Sequence, residues 1–157
     1  MARVSVKNLR VSCIVGIDPG KGGGIAVLSR RGKVLAARRM PDTVDELAAF
    51  VATLPERSKV YTEFVHATPQ MGVVSAFTFG CGLGNIQGVL AAFRLPLTAV
   101  RPQKWQDALG CRSGGDKNVT KRRAAKLFPR IVMTHAIADA LLIAEHGRRL
   151  EGRRAVK

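Results

Sequence analysis

Acidic residues are scarce in this chain: 11 Asp and Glu stand against 26 Lys and Arg in 157 residues, a formal charge of +15. That imbalance exceeds what solubility needs and calls for a polyanionic partner, nucleic acid first. Aromatics make up only 5% against 46% hydrophobic residues, so the core is aliphatic and ordinary α/β packing is expected. Cysteine is limited to Cys13, Cys81 and Cys111. An odd number at unrelated spacings fits neither a disulfide framework nor a zinc site, which points to a reducing interior. No uninterrupted apolar run approaches the roughly 18 residues of a membrane span, and no signal-peptide pattern is visible. The expectation is a soluble intracellular protein of the cytoplasm or another reducing compartment (an organelle or a phage-infected cell included), with no membrane partner.

Against that background, the chain is organised around Ile14-Val15-Gly16-Ile17-Asp18-Pro19-Gly20-Lys21-Gly22-Gly23-Gly24-Ile25-Ala26-Val27-Leu28. An apolar run from Val11 ends abruptly at an acid, Pro19 and Gly20 force a turn, and the glycines permit backbone angles closed to other residues. A second aliphatic run follows as a hairpin requires. Asp18 can be read as a turn cap or as a carboxylate held at a strand end beside an anionic ligand.

Strands are expected at about 11–18, 24–29 and 33–39, antiparallel in succession. Thr43 then caps a helix with Glu46 three residues on, Leu47, Phe50, Val51 and Leu54 forming its apolar face and Pro55 ending it. A fourth strand spans Lys59 to Phe64 and carries Glu63. Val73 to Phe93 reads as a helix with glycines at 80, 82, 84 and 88, each costing about 1 kcal/mol against Ala. So many imply close approach by another backbone: the sheet, a second subunit or a DNA strand. A fifth strand (95–100), a short helix from Pro102 to Leu109, a glycine-rich loop (110–118), a basic helix from Asn118 or Thr120 to Leu127, and a last helix from His135 to Arg149 complete the order. Residues 1–10 and 150–157 are expected to be flexible basic tails on one domain spanning 1–157. The final third is the most basic, with 14 Lys and Arg against 5 acids in residues 101–157.

This is the order of a ribonuclease-H-like α/β fold: a mixed five-stranded sheet with helices on both faces. In it Asp18 and Glu63 end neighbouring parallel strands, and Asp139 on the last helix crosses the same edge. Three such carboxylates repel one another unless cations neutralise them, and hard oxygen ligands suit Mg²⁺ or Mn²⁺. Two ions about 4 Å apart serve phosphodiester hydrolysis. Actin-like kinases begin with a similar Gly-x-Asp-x-Gly hairpin, but they need two lobes and have no use for +15.

The opening Ile14 to Gly20 resembles that of RuvC-type Holliday junction resolvases. The stretches Ser75-Ala76-Phe77-Thr78-Phe79-Gly80, Val100-Arg101-Pro102-Gln103-Lys104-Trp105, Lys117 with Ala124 to Pro129, and Ala138 to Ala144 are more similar to the phage and chloroplast branches of that group. The resemblance covers about residues 12–149. It implies a homodimeric endonuclease, with two Mg²⁺ (or Mn²⁺) per site, that nicks opposing strands of a four-way DNA junction. Metal ligands would be Asp18, Glu63 and Asp139, with Lys117 contacting the phosphate. DNA contacts are expected from Lys21, Ser75, Phe77, Phe79, Arg101, Lys104, Arg112, Lys117, Lys121 and Arg122. One position departs from the pattern. Bacterial members carry a further acid three residues before the helical one, where this chain has Ala136. His135 lies on nearly the same helix face. Either His135 fills that place as ligand or base, or the site is one carboxylate short and the protein binds junctions with reduced or absent cleavage. Trp105 reads as a core or anchor residue, His66 as a loop residue, and His146, Arg148 and Arg149 as cations at a helix C-terminus.

Overall fold

The computed structural model describes residues 12–20 and 22–154; the expected basic arm at 1–10, Val11, Lys21 and residues 155–157 lie outside them. Three strands, β1 (Cys13–Asp18), β2 (Gly24–Ser29) and β3 (Val34–Arg39), form an antiparallel meander. Strand β4 (Lys59–Glu63) pairs parallel to β1, and β5 (Leu97–Val100) parallel to β4, giving the sheet order β3-β2-β1-β4-β5. Both faces of β1 and β2 are buried. Their unbroken aliphatic composition is what a central strand between two helical layers requires.

One face packs on helices α1 (Val44–Val51) and α2 (Val73–Ala92), where Val15, Ile17, Ile25, Val27 and Val60 meet Leu47, Val51, Ile86 and Leu90. The other carries α3 (Pro102–Leu109), α4 (Lys117–Leu127) and α5 (His135–Arg154), against Ile14, Tyr61, Ala26 and Leu28. Thr43 caps α1 as expected: its hydroxyl accepts the Glu46 amide at 3.1 Å, and the Glu46 carboxylate accepts the Asp42 amide at 3.1 Å. That reciprocal arrangement satisfies amides that the helix cannot.

Three expectations need correction. Helix α4 starts at Lys117 rather than at Asn118 or Thr120, because the Asp116 carboxylate accepts the Asn118 amide at 2.9 Å and acts as N-cap. Helix α5 does not stop at Arg149. It continues to Arg154, where Tyr61 donates its hydroxyl to Glu151 at 2.6 Å and ties the expected loose tail to β4. His146, Arg148 and Arg149 therefore do not cap a C-terminus: His146 is buried, and both arginines pair with the buried Glu145 at 2.7 and 2.8 Å.

The glycines of α2 are not there to meet the sheet. A Cβ added at Gly80, Gly82, Gly84 or Gly88 would find nothing within 4 Å. Only the helix's last turns are anchored, through Ile86, Val89 and Leu90, while Val73, Val74 and Phe77 are 86%, 79% and 73% exposed. By length and composition alone this uncharged 20-residue helix could cross a membrane: an 18-residue window of it has mean hydropathy 1.4, with 11% of that window buried. Scattered Ser, Thr, Asn and Gln hide that property from a search for an unbroken apolar run.

The glycines that do permit close approach lie under α5. At Gly16 a Cβ would stand 2.1 Å from the Ala140 carbonyl oxygen and 2.4 Å from the Ala144 amide; at Gly24 it would stand 2.4 Å from the Ala136 carbonyl oxygen. Backbone thus seats on backbone, which only glycine in the strand and alanine in the helix allow. Gly147 makes the reverse contact, against the Tyr61 ring.

Candidate active site

Parallel pairing in the register Ile17↔Thr62 sets Asp18 and Glu63 side by side at the carboxyl edge of the sheet, the edge at which open α/β sheets hold ligands. Asp18 is held by its own turn, the Gly20 amide donating to its Oδ1 at 3.3 Å. Gly24 is its cross-strand partner and also the seat of Ala136. The first turn of α5 is therefore pressed onto the strand end that carries Asp18, and Asp139 follows one turn later.

The acids act on each other. Burial, above all, raises the Asp18 carboxyl above its ordinary range; the Gly20 amide opposes this, the Asp139 charge adds to it, and Lys117 lowers it. Glu63 is pushed up to about 7, by burial first and then by the Asp18 charge; Asp139 adds to the rise, while Trp105 and Lys117 oppose it. The Asp139 Oδ1 is buried without a hydrogen-bond partner. A fold that leaves two carboxyls reluctant to ionise and a third with an orphaned oxygen has an unmet need for positive charge. The donor set, all hard oxygen, fits a small divalent cation. Among the described residues no three His, Cys, Asp or Glu side chains are already gathered as closely as a metal cluster.

Among the described residues Lys117 is the cation that acts on this site, on both Asp18 and Glu63. It does so from the exposed first residue of α4 rather than from the glycine-flanked loop expected for it. His135 is exposed at the first residue of α5, one turn before Asp139, with Ala136 beside it and half-buried. Arg101 caps α3 directly after β5, on the sheet edge that carries the acids. Lys121 and Arg122 lie further along α4. Lys104 is not brought to the carboxylates: with Arg149 and Arg153 it surrounds the buried His146, whose pKa is held low by burial and then by these charges. Arg112 is exposed and already paired with Asp107, Nε to Oδ1 at 2.7 Å. Ser75 and Phe79 line a cavity between α1 and α2, whereas Phe77 stands exposed.

Two participants escape a reading of the sequence. Trp105 is a core residue, 1% exposed, yet its indole N–H donates to Glu63 Oε1 at 3.2 Å and so orients a site acid. Arg123 has a buried Nε with no partner and, with Asp139, acts electrostatically on the buried Cys111 thiol. Trp105 could have been suspected from its place five residues after a strand that ends beside Glu63; nothing in the sequence separates Arg123 from its basic neighbours. Among the described residues no disulfide forms. Cys13 and Cys111 are buried on opposite faces of the sheet, and Cys81 is exposed.

No family model matches the chain, and no curated protein matches its sequence. Solved structures do match its fold. Thermus thermophilus RuvC in complex with a Holliday junction substrate superposes with a TM-score of 0.65 at 20% identity, over 90% of this chain and 96% of that one. Thermus thermophilus RuvC alone gives 0.64 at 21% identity, over 92% and 97%. The chain has the ribonuclease-H-like fold of these structures, a mixed sheet between two helical layers.

Proposed function

We propose that this protein is a structure-selective endonuclease that binds four-way DNA junctions as a dimer and hydrolyses phosphodiesters on opposing strands. The observation that carries the reading is the three-acid edge: Asp18 and Glu63 on adjacent strand ends, coupled to Asp139, with too little positive charge in the fold to neutralise them. The charge of +15 and the likeness to a junction-bound RuvC structure support DNA as the substrate. The motifs favour the phage and chloroplast branch.

Asp18, Glu63 and Asp139 would hold two Mg²⁺, with Mn²⁺ as an alternative. Such ions, when bound, supply the Lewis acidity that activates a water and steadies a leaving oxygen. The chain's own residues do the rest. The Trp105 N–H holds Glu63 by one carboxylate oxygen, Oε1. Lys117 offers positive charge where a phosphate would gain negative charge. His135 stands one turn from Asp139 as ligand or proton acceptor. Lys21, Arg101, Lys121 and Arg122 would hold the phosphates on either side, whereas Lys104 would act away from the scissile bond and Arg112 only after leaving Asp107.

The exposed, apolar, glycine-lined length of α2 is best explained as the face that meets a second copy, since a soluble nuclease must cover it. A reducing compartment suits three cysteines at unrelated spacings. A second reading, junction binding without cleavage, rests on Ala136. The deciding experiment is cleavage of a synthetic four-way junction with Mg²⁺. The wild type should cut symmetrically, and Asp18→Asn should bind with equal or better affinity and not cut. Undiminished cutting by Asp18→Asn removes the assignment, and tight binding without wild-type cutting selects the second reading.

A further inference from the structure

The sheet edge opposite the carboxylates carries a cluster of cations that the proposed chemistry does not use. Strand β2 runs antiparallel to β1, so Gly24 sits beside Asp18 while Ser29 sits beside Cys13, and the turn Arg30-Arg31-Gly32-Lys33 closes the far edge. At roughly 3.3 Å per residue, the length of β1 puts that turn about 20 Å from the cutting edge. The turn is fixed by its own backbone: the Gly32 amide donates to the Ser29 carbonyl at 2.9 Å, and the Ser29 amide to the Lys33 carbonyl at 2.8 Å. Gly32 has φ +85°, and a Cβ there would stand 3.3 Å from Arg148 Nε, so the guanidinium from α5 lies against the turn. Arg30, Arg31 and Lys33 are exposed, and among the described residues none of them pairs with an acid.

Arg148 and Arg149 are held in place by the buried Glu145. Its carboxylate accepts Nε and Nη2 of Arg148 at 2.7 and 2.9 Å and Nε of Arg149 at 2.8 Å. One carboxylate balances only one of the two charges, and each guanidinium has five N–H donors, so donors on both remain free. An arginine oriented by a buried acid has little side-chain freedom left to lose when it makes a further contact. Cations spread over a turn and a helix, two of them preset, suit the repeated phosphates of a backbone better than one small anion.

We propose that this edge binds the phosphate backbone of a second DNA duplex while the carboxylate edge holds the junction. The inference rests on the reading of the chain as a junction nuclease, and it makes the protein a bridge between two DNA segments.

The test is capture of a labelled duplex by protein that already saturates an immobilised four-way junction, with EDTA present to prevent cutting. The wild type should hold the duplex without releasing the junction, and less tightly as salt rises. The triple variant Arg30→Ala, Arg31→Ala, Lys33→Ala alters exposed side chains alone. It should weaken duplex capture at least about tenfold and lower its salt slope by roughly 2–3, about one per lost phosphate contact, with junction affinity kept within about threefold. Glu145→Gln makes the chain more positive but releases both arginines, so it should also weaken capture; tighter capture would mean that bulk charge binds and would overturn the proposal. Should Glu145→Gln fail to fold, the turn variant decides alone. Absence of capture by the wild type, equal capture by the turn variant, or loss of junction and duplex in parallel overturns the second site. So does a turn variant that keeps the duplex but no longer binds phosphatidylserine vesicles, which would assign the edge to an anionic membrane. If the wild type binds no junction, the nuclease reading fails separately. Duplex affinities are then compared directly, and equal values for wild type and turn variant overturn the site.

Discussion

Glu63→Gln should stabilise the metal-free protein while destroying its activity, and the size of the gain follows from the site. The Glu63 carboxyl is pushed from an ordinary 4.5 to about 7, chiefly by burial and by Asp18. A carboxyl whose folded pKa is raised costs nothing below its unfolded pKa, and its full cost is present above the folded one. Stability should therefore fall as pH rises from about 4.5 to 7. At about 1.4 kcal/mol per pKa unit the shift from 4.5 to about 7 amounts to about 3.5 kcal/mol, and because Glu63 is only partly buried, screening reduces this to about 2 kcal/mol. Glutamine keeps the acceptor for the Trp105 N–H and has no charge to lose. In EDTA, melting of wild type and variant should converge at pH 4.5 and separate above pH 7, the variant melting roughly 4–8 °C higher. Adding Mg²⁺ should raise the wild-type midpoint and close the gap, through binding linkage. A pH-independent difference, or a variant less stable than wild type at pH 8, would refute the electrostatic account of this site.

Lys117→Ala should lower single-turnover cleavage by roughly a hundredfold, the scale of a lost transition-state contact, while junction affinity changes by less than about threefold; normal cutting would remove its role. Replacing His135 by Ala should be the damaging change if that ring completes the site, and Ala136→Asp should then do little. If the site is one acid short, Ala136→Asp should instead raise the Mg²⁺ rate, and the wild type should cut better with Mn²⁺, which accepts nitrogen ligands more readily. Gly16→Ala should destabilise the fold by about 2–4 kcal/mol, read as a lowered urea midpoint, because its methyl group would collide with the Ala140 and Ala144 backbone. A neutral result would mean that α5 can lift off the sheet.

The central strands were legible because β1 is a nearly all-apolar run closed by Asp18-Pro19-Gly20, and β4 carries the strand-favouring Val60-Tyr61-Thr62 before Glu63. The limits of α1 and α3 were legible through Thr43, Glu46 and Pro102. Side-by-side placement of Asp18 and Glu63 followed from strand order alone. What escaped the sequence depends on contacts distant in the chain. Helix α5 outlasts its basic, glycine-bearing end because Tyr61, 90 positions earlier, bonds Glu151. Lys117 joins a helix because Asp116, directly after the pair Gly114-Gly115, caps it through the Asn118 amide. The purpose of the α2 glycines was misjudged toward the sheet as one option, since no pattern within a helix reveals which of its turns will be left uncovered.

The seating of α5 on Gly16 and Gly24, with Gly147 against Tyr61, has a mechanical meaning. Contacts through side chains give like springs, by changing rotamer. A helix resting on strand backbone has no compliant layer beneath it, and contacts from its first turn to its middle remove rotation about its axis as well as sliding along it. From Gly147 to Asp139 is eight residues, about 12 Å of helix, traversed by an essentially stiff rod. An error introduced at the far contact is therefore delivered to the carboxylate undiminished, so the tolerance of the cutting site is set partly at a tyrosine ring that never meets the substrate.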